Sequence, residues 1–139
     1  MAKTLLYRLF GLGKIPETLA VQLRAEGILL MDEGIKGSVT YKDFRSPARY
    51  ANWKRQWYTA SIVLTETRLF ALRFSQTIIN VPLSDERIRS MSFSLESNGT
   101  LLAAFDAGLF HPDWSGKIEY RFRTEYGEAF ISQLHERTV

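Results

Sequence analysis

Cysteine is absent from the 139 residues, so disulfides, thiolate metal sites and thiol nucleophiles are excluded. The chain has no need of an oxidising compartment, and the expected location is cytoplasmic. Histidine is scarce: His111 and His135 are the only imidazoles. His111 has Asp113 two residues on, which is too little for a metal site or an acid–base pair, and it reads as a solvated loop residue. His135 falls near the end of a predicted helix, where a cation is favourable for structural reasons alone. Asp32-Glu33 and Asp85-Glu86 are adjacent pairs expected at the surface, in turns or on opposite sides of an extended chain. No motif gives the serines a partner base. The sequence therefore points away from an enzyme and calls for no cofactor.

Long apolar runs are missing as well. Leu5, Leu6, Leu9, Phe10 and Leu12 follow Lys3, but Arg8 interrupts them and no small-x-small site comes after, so the run does not read as a signal peptide. It also falls far short of the roughly 20 apolar residues of a spanning helix. Gly11, Gly13 and Lys14 lack the spacing and the preceding strand of a phosphate loop. A short helix laid on the domain or on a neighbouring subunit is the expectation, with an interfacial membrane helix as the alternative. Pro16 then suits a first helical turn, Leu19, Ala20 and Leu23 share a face, and Gly27 ends the run. Residues 1–26 are thus predicted to form an N-terminal helical arm, and residues 27–139 a single domain.

The middle of the chain carries the clearest pattern. Ile62 and Leu64, then Phe70, Leu72 and Phe74, then Ile79, Val81 and Leu83 recur at every second position, as on one side of a pleated strand. These read as a three-strand meander. Upstream, Ile28 to Met31 suits a first strand, Asp32, Glu33 and Gly34 a turn, and Gly37 to Phe44 a second strand. Pro47 and the polar residues of Arg45 to Asn52 suggest a loop. Downstream, Met91, Phe93 and Leu95 alternate with polar residues, and Asn98-Gly99 suits a two-residue type I′ turn returning through Leu101 to Phe105. Asp106 to Gly116 reads as a loop and Lys117 to Arg123 as a strand with Ile118, Tyr120 and Phe122 inward. Thr124 is placed to cap a closing helix with Tyr126, Ala129, Phe130 and Leu134 on one stripe.

The net charge of +3 is unevenly spread. From Lys36 to Arg73 there are eight basic and two acidic residues, a balance of +6 that leaves −3 for the remainder. Such a local patch fits docking onto an anion better than coating of nucleic acid, and no nucleic-acid motif is present.

A glycine-led strand, a basic loop, the stretch Trp53, Lys54, Arg55, Gln56, Trp57, Tyr58, and then IVLTETRLFALRF over Ile62 to Phe74 resemble the opening strands of pleckstrin-homology (PH) domains, and in particular GRAM and bacterial PH-like domains. The resemblance covers Gly27 onward, with its specific motifs between Gly37 and Phe74. It implies a mainly β (α+β) fold: a small antiparallel PH-like β-barrel or sandwich of about seven strands, with a C-terminal helix plugging one open end. Phe130 stands in the closing helix, where PH domains usually bury a Trp, which favours the GRAM or bacterial PH-like side. Lys54 and Arg55 are adjacent, and Gln56 occupies the place of a second spaced basic residue, which speaks against a specific inositol-phosphate pocket.

The expected function is a non-catalytic binding module docking on anionic lipid head groups, peripherally on a membrane. Lys42, Arg45, Arg49, Lys54 and Arg55 supply charge, with Trp53 and Tyr50 at head-group level. Trp57 is expected in the core. The alternative is a protein-interaction or self-assembly module, a homo-oligomer among its forms, because arginine and aromatic residues also dominate protein interfaces.

Overall fold

The computed structural model describes residues 3, 4, 8 and 14–138. The apolar arm residues Leu5, Leu6, Leu9, Phe10 and Leu12 lie outside the described residues. Helix α1 spans Glu17–Glu26, entered through Pro16 and ended by Gly27 at φ +86°, a left-handed conformation that costs glycine little. Eight strands follow: β1 Ile28–Ser46, β2 Arg49–Ala51, β3 Lys54–Thr65, β4 Arg68–Arg73, β5 Gln76–Pro82, β6 Ser92–Leu95, β7 Leu101–Asp106 and β8 Ser115–Phe122. Helix α2, Gly127–Arg137, closes the described chain. Among the described residues, no helix is long and apolar enough to cross a membrane.

Seven strands run in the order β5-β4-β3-β1-β8-β7-β6, all antiparallel, with β2 folded onto the end of β1. Pairing of β1 with both β3 and β8 joins the first half of the chain to the last. The sheet curls into a half-barrel rather than closing on itself, because its end strands β5 and β6 do not pair. The chain between them takes a 3-10 turn over Glu86–Ser90, and Leu83, Ile88 and Met91 fill the gap with apolar side chains. Phe130 and Leu134 of α2 complete that plug, and Gly127 sits so close to Leu95 that a Cβ there would lie 2.7 Å from its Cδ2.

The main core lies inside the curl, and Ile62, Leu64, Leu69, Ala71, Ile79, Val81 and Phe122 belong to it. A second, smaller core lies on the convex side, where Ile15 and Leu23 cover Val63, Phe70 and Leu72. The alternation seen at Phe70 and Leu72 thus marks the face under α1, not the barrel interior. Glu26 fastens that helix: its carboxylate accepts from Arg68 at 2.9 Å and from the hydroxyls of Thr65 and Thr67.

Five local expectations are corrected. Asp32, Glu33 and Gly34 do not form a turn but continue β1 through a bulge, with Gly34 at φ +75°. Asp32 is buried rather than exposed, because its carboxylate meets Lys3 and accepts from Thr124 Oγ1 at 2.7 Å, while Glu33 accepts from the Ile15 N–H. Arg45 to Asn52 is a hairpin, not a loop, since Phe44, Arg45 and Ser46 pair with Ala51, Tyr50 and Arg49. The β6–β7 connection is not a two-residue turn: only Gly99 has positive φ, Gly99 N–H donates to Glu96 O and Glu96 N–H to Thr100 O, giving a longer turn with one left-handed residue. Thr124 precedes α2 by three residues, and its hydroxyl accepts from Tyr126 N–H rather than capping the helix.

Candidate functional site

The basic residues singled out in sequence gather where β1 ends, β2 turns back and β3 begins. The geometry there depends on one irregularity. Asp43 takes φ +47° and its N–H donates to Asn52 Oδ1 at 2.9 Å, while β1–β8 pairing breaks between Lys42 and Arg45. Gly116, at φ +92°, packs against this kink so tightly that a Cβ would stand 2.2 Å from the Asp43 carbonyl oxygen. The kink lets the β2 hairpin carry Arg45, Arg49 and Tyr50 past the end of the sheet.

Four of the five cations there meet an aromatic ring. Lys42 Nζ is 4.5 Å from the Trp53 ring centre, the Arg45 guanidinium 4.6 Å from Tyr50, Arg49 4.7 Å from Tyr41 and Arg55 5.6 Å from Trp57. Trp53 is 70% exposed and Tyr50 54%, so the rim presents flat amphipathic rings to solvent. Trp53 is also held at φ +57°, a conformation seldom adopted by a bulky residue. Lys54 is exposed beside them, opposite Tyr41 in register.

These residues share one end of the sheet but not one face. Lys42 and Arg55 lie on the convex side, joined to a polar ladder: Lys42 Nζ stands 2.9 Å from Glu119, Arg121 pairs with Glu119 and Glu96, and Thr40 Oγ1 accepts from both Arg55 and Arg121. Burial raises the Glu119 carboxyl, but hydrogen bonds from Lys42 and Arg121 outweigh it and hold the group below its usual range. Trp57 belongs to this face too. It is 50% exposed between Lys36 and Arg55, a correction to its expected place in the core, because the neighbouring Tyr58 takes the inward position and alternation turns Trp57 to the other face.

Arg49 instead faces the concave side. There a cavity of about 370 Å³ opens under the β2 hairpin, with Arg73, Tyr41, Tyr120, His111 and Trp114 among its walls. Arg73 lies 5.2 Å from the Tyr58 ring, and the buried Tyr58 hydroxyl has no hydrogen-bond partner among the described residues. Burial pushes both Tyr58 and Tyr120 upward, so their hydroxyls stay protonated donors. His111 is exposed, as a solvated loop residue would be, yet its ring stacks on Trp114 at 3.6 Å. The sequence reading missed Arg73, Tyr41, Tyr120 and Trp114. Their only sequence signal was composition, since the walls come from strands far apart in the chain.

Among the described residues, no three His, Asp or Glu side chains are grouped to hold a metal ion. Comparison with protein-family models and with curated proteins found no match.

Proposed function

We propose that the chain is a non-catalytic binding module of PH-like or GRAM-like fold, docking on anionic lipid surfaces through the rim formed by Lys42, Arg45, Arg49, Trp53, Lys54 and Arg55. The fold part is supported by the seven-strand antiparallel path followed by a helix that plugs the gap between its ends. The observation that carries the binding part is the exposed pair Tyr50 and Trp53, each under a cation, at one end of the sheet. Rings with an apolar body and a polar edge suit the head-group level, and each adjacent Lys or Arg adds about 1 kcal/mol near an anionic bilayer. Lys42 is paired with Glu119 and Arg45 stands 4.0 Å from Asp43, so Arg49, Lys54 and Arg55 supply roughly 3 kcal/mol, enough for weak reversible recruitment.

Co-sedimentation with phosphatidylserine vesicles tests this. The double variant Arg45→Glu, Lys54→Glu removes two exposed cations and is expected to lose binding while melting as the parent does. Binding that survives the double reversal would end the rim hypothesis.

A second reading, a protein-interaction module, is favoured by one observation. Trp57 stands exposed between Lys36 and Arg55 on the convex face, away from the hairpin, in the manner of an interface anchor. Salt separates the two: lipid recruitment fades steeply with ionic strength, whereas a ring-anchored protein contact largely survives.

A further inference from the structure

Beside the first cavity lies a second pocket of about 190 Å³, reaching toward the gap between β5 and β6. Ile79, Met91, Phe105 and Phe110 give it apolar walls. The two spaces share five lining residues, Ile78, His111, Trp114, Ile118 and Tyr120, so they adjoin across that wall, the larger one polar with Arg49 and Arg73 and the smaller one mostly apolar. No Asp or Glu lines either space.

Arg49 and Arg73 both line the larger space, and neither makes an ion pair with a carboxylate among the described residues. Their guanidinium groups rest on the rings of Tyr41 and Tyr58, which orients them without neutralising them. Two like charges in one cavity repel each other and favour an anion between them. Guanidinium forks match a carboxylate in plane, two hydrogen bonds at a time. Tyr120 lines both spaces, and burial keeps its hydroxyl protonated, so it adds a donor. A polyphosphate is disfavoured, since two cations undercompensate it and the apolar pocket offers it nothing. At 370 Å³ the larger space is near the small end of ligand sites, which run from about 300 to 1,000 Å³.

We propose that the concave face is a binding site for a small amphipathic carboxylate, an acyl or aryl acid whose carboxylate meets Arg49 and Arg73 and whose body lies in the adjoining apolar pocket. The site takes a dissolved molecule and needs no bilayer, so it stands apart from the lipid-docking rim even though Arg49 borders both.

Titration calorimetry of the full chain with octanoate, octanol and acetate, all below micelle-forming concentrations, tests it. Octanoate is expected to bind once per chain, at least tenfold tighter than either octanol or acetate. The double variant Arg49→Gln, Arg73→Gln is expected to lower octanoate binding to the level of octanol, with octanol unchanged. Ile78→Trp, which fills the shared wall, is expected to abolish both, with circular dichroism confirming that each variant is folded. Octanoate binding no tighter than octanol or no tighter than acetate, absence of octanoate binding at millimolar concentration, or binding indifferent to the arginine pair would each overturn the proposal. Failure of the protein to bind phosphatidylserine vesicles bears on the rim alone.

Discussion

The ammonium of Lys42 stands 2.9 Å from a carboxylate oxygen of Glu119, across the pairing of β1 with β8 that joins the two halves of the sheet. Glu119 is almost buried and also accepts from Arg121, so its charge is held by two cations at once. Replacing it with Gln keeps the shape and removes the charge. Glu119→Gln is expected to lower the unfolding free energy by about 2 kcal/mol at neutral pH, read from urea denaturation. The folded carboxyl titrates below its unfolded value, near 4.3 for glutamate, so its contribution is complete above that pH and is lost as pH falls through the folded value. The difference between parent and variant should therefore close in acid. The freed Lys42 should also strengthen binding to anionic vesicles, by about 1 kcal/mol.

Trp53 sits in the left-handed region, where a residue with a side chain pays roughly 1–2 kcal/mol that glycine does not. Its contact with Lys42 returns about 0.5–1 kcal/mol at an exposed site. Trp53→Gly is expected to leave the melting temperature unchanged or slightly raised while weakening vesicle binding. Trp53→Ala keeps the strain and loses the contact, and should melt lower than either.

Gly116 allows the kink at Asp43 that projects the β2 hairpin. Gly116→Ala combines a positive φ with a Cβ 2.2 Å from a carbonyl oxygen, and backbone atoms cannot yield as a side chain would. Thermal denaturation should show a loss of at least about 3 kcal/mol. The equivalent change at Gly99, where a Cβ meets nothing within 4 Å, carries only the conformational cost and should lose about 1 kcal/mol.

Leu23 is the one fully buried residue of α1 and seats the helix on Val63, Phe70 and Leu72. Leu23→Ala is expected to cost about 3 kcal/mol and to expose α1 to proteolysis before the sheet.

The strands β3, β4 and β5 were legible because period-two alternation is a local property, and so were the boundaries of α1, marked by Pro16 and Gly27. The continuity of β1 was not. Asp32 looks like a turn residue until Thr124, 92 positions away, supplies the hydrogen bond that lets it be buried. Trp57 and Tyr58 are adjacent aromatic residues, and alternation cannot say which of two neighbours faces the core until the register with Ser38 and Gly37 is fixed. The site was half visible for the same reason. Charge density located Lys42 to Arg55, but only the curl of the sheet turns Arg49 toward Arg73 and sets Lys42 against Glu119 on the opposite face.

The central claim is that an exposed basic and aromatic rim recognises anionic membranes, and vesicle co-sedimentation of the unmodified protein tests it most directly. The account predicts sedimentation with phosphatidylserine vesicles at low salt, release as salt is raised, and little binding to phosphatidylcholine at any salt. Equal binding to both lipids, or no sedimentation with phosphatidylserine even at low salt, would contradict it.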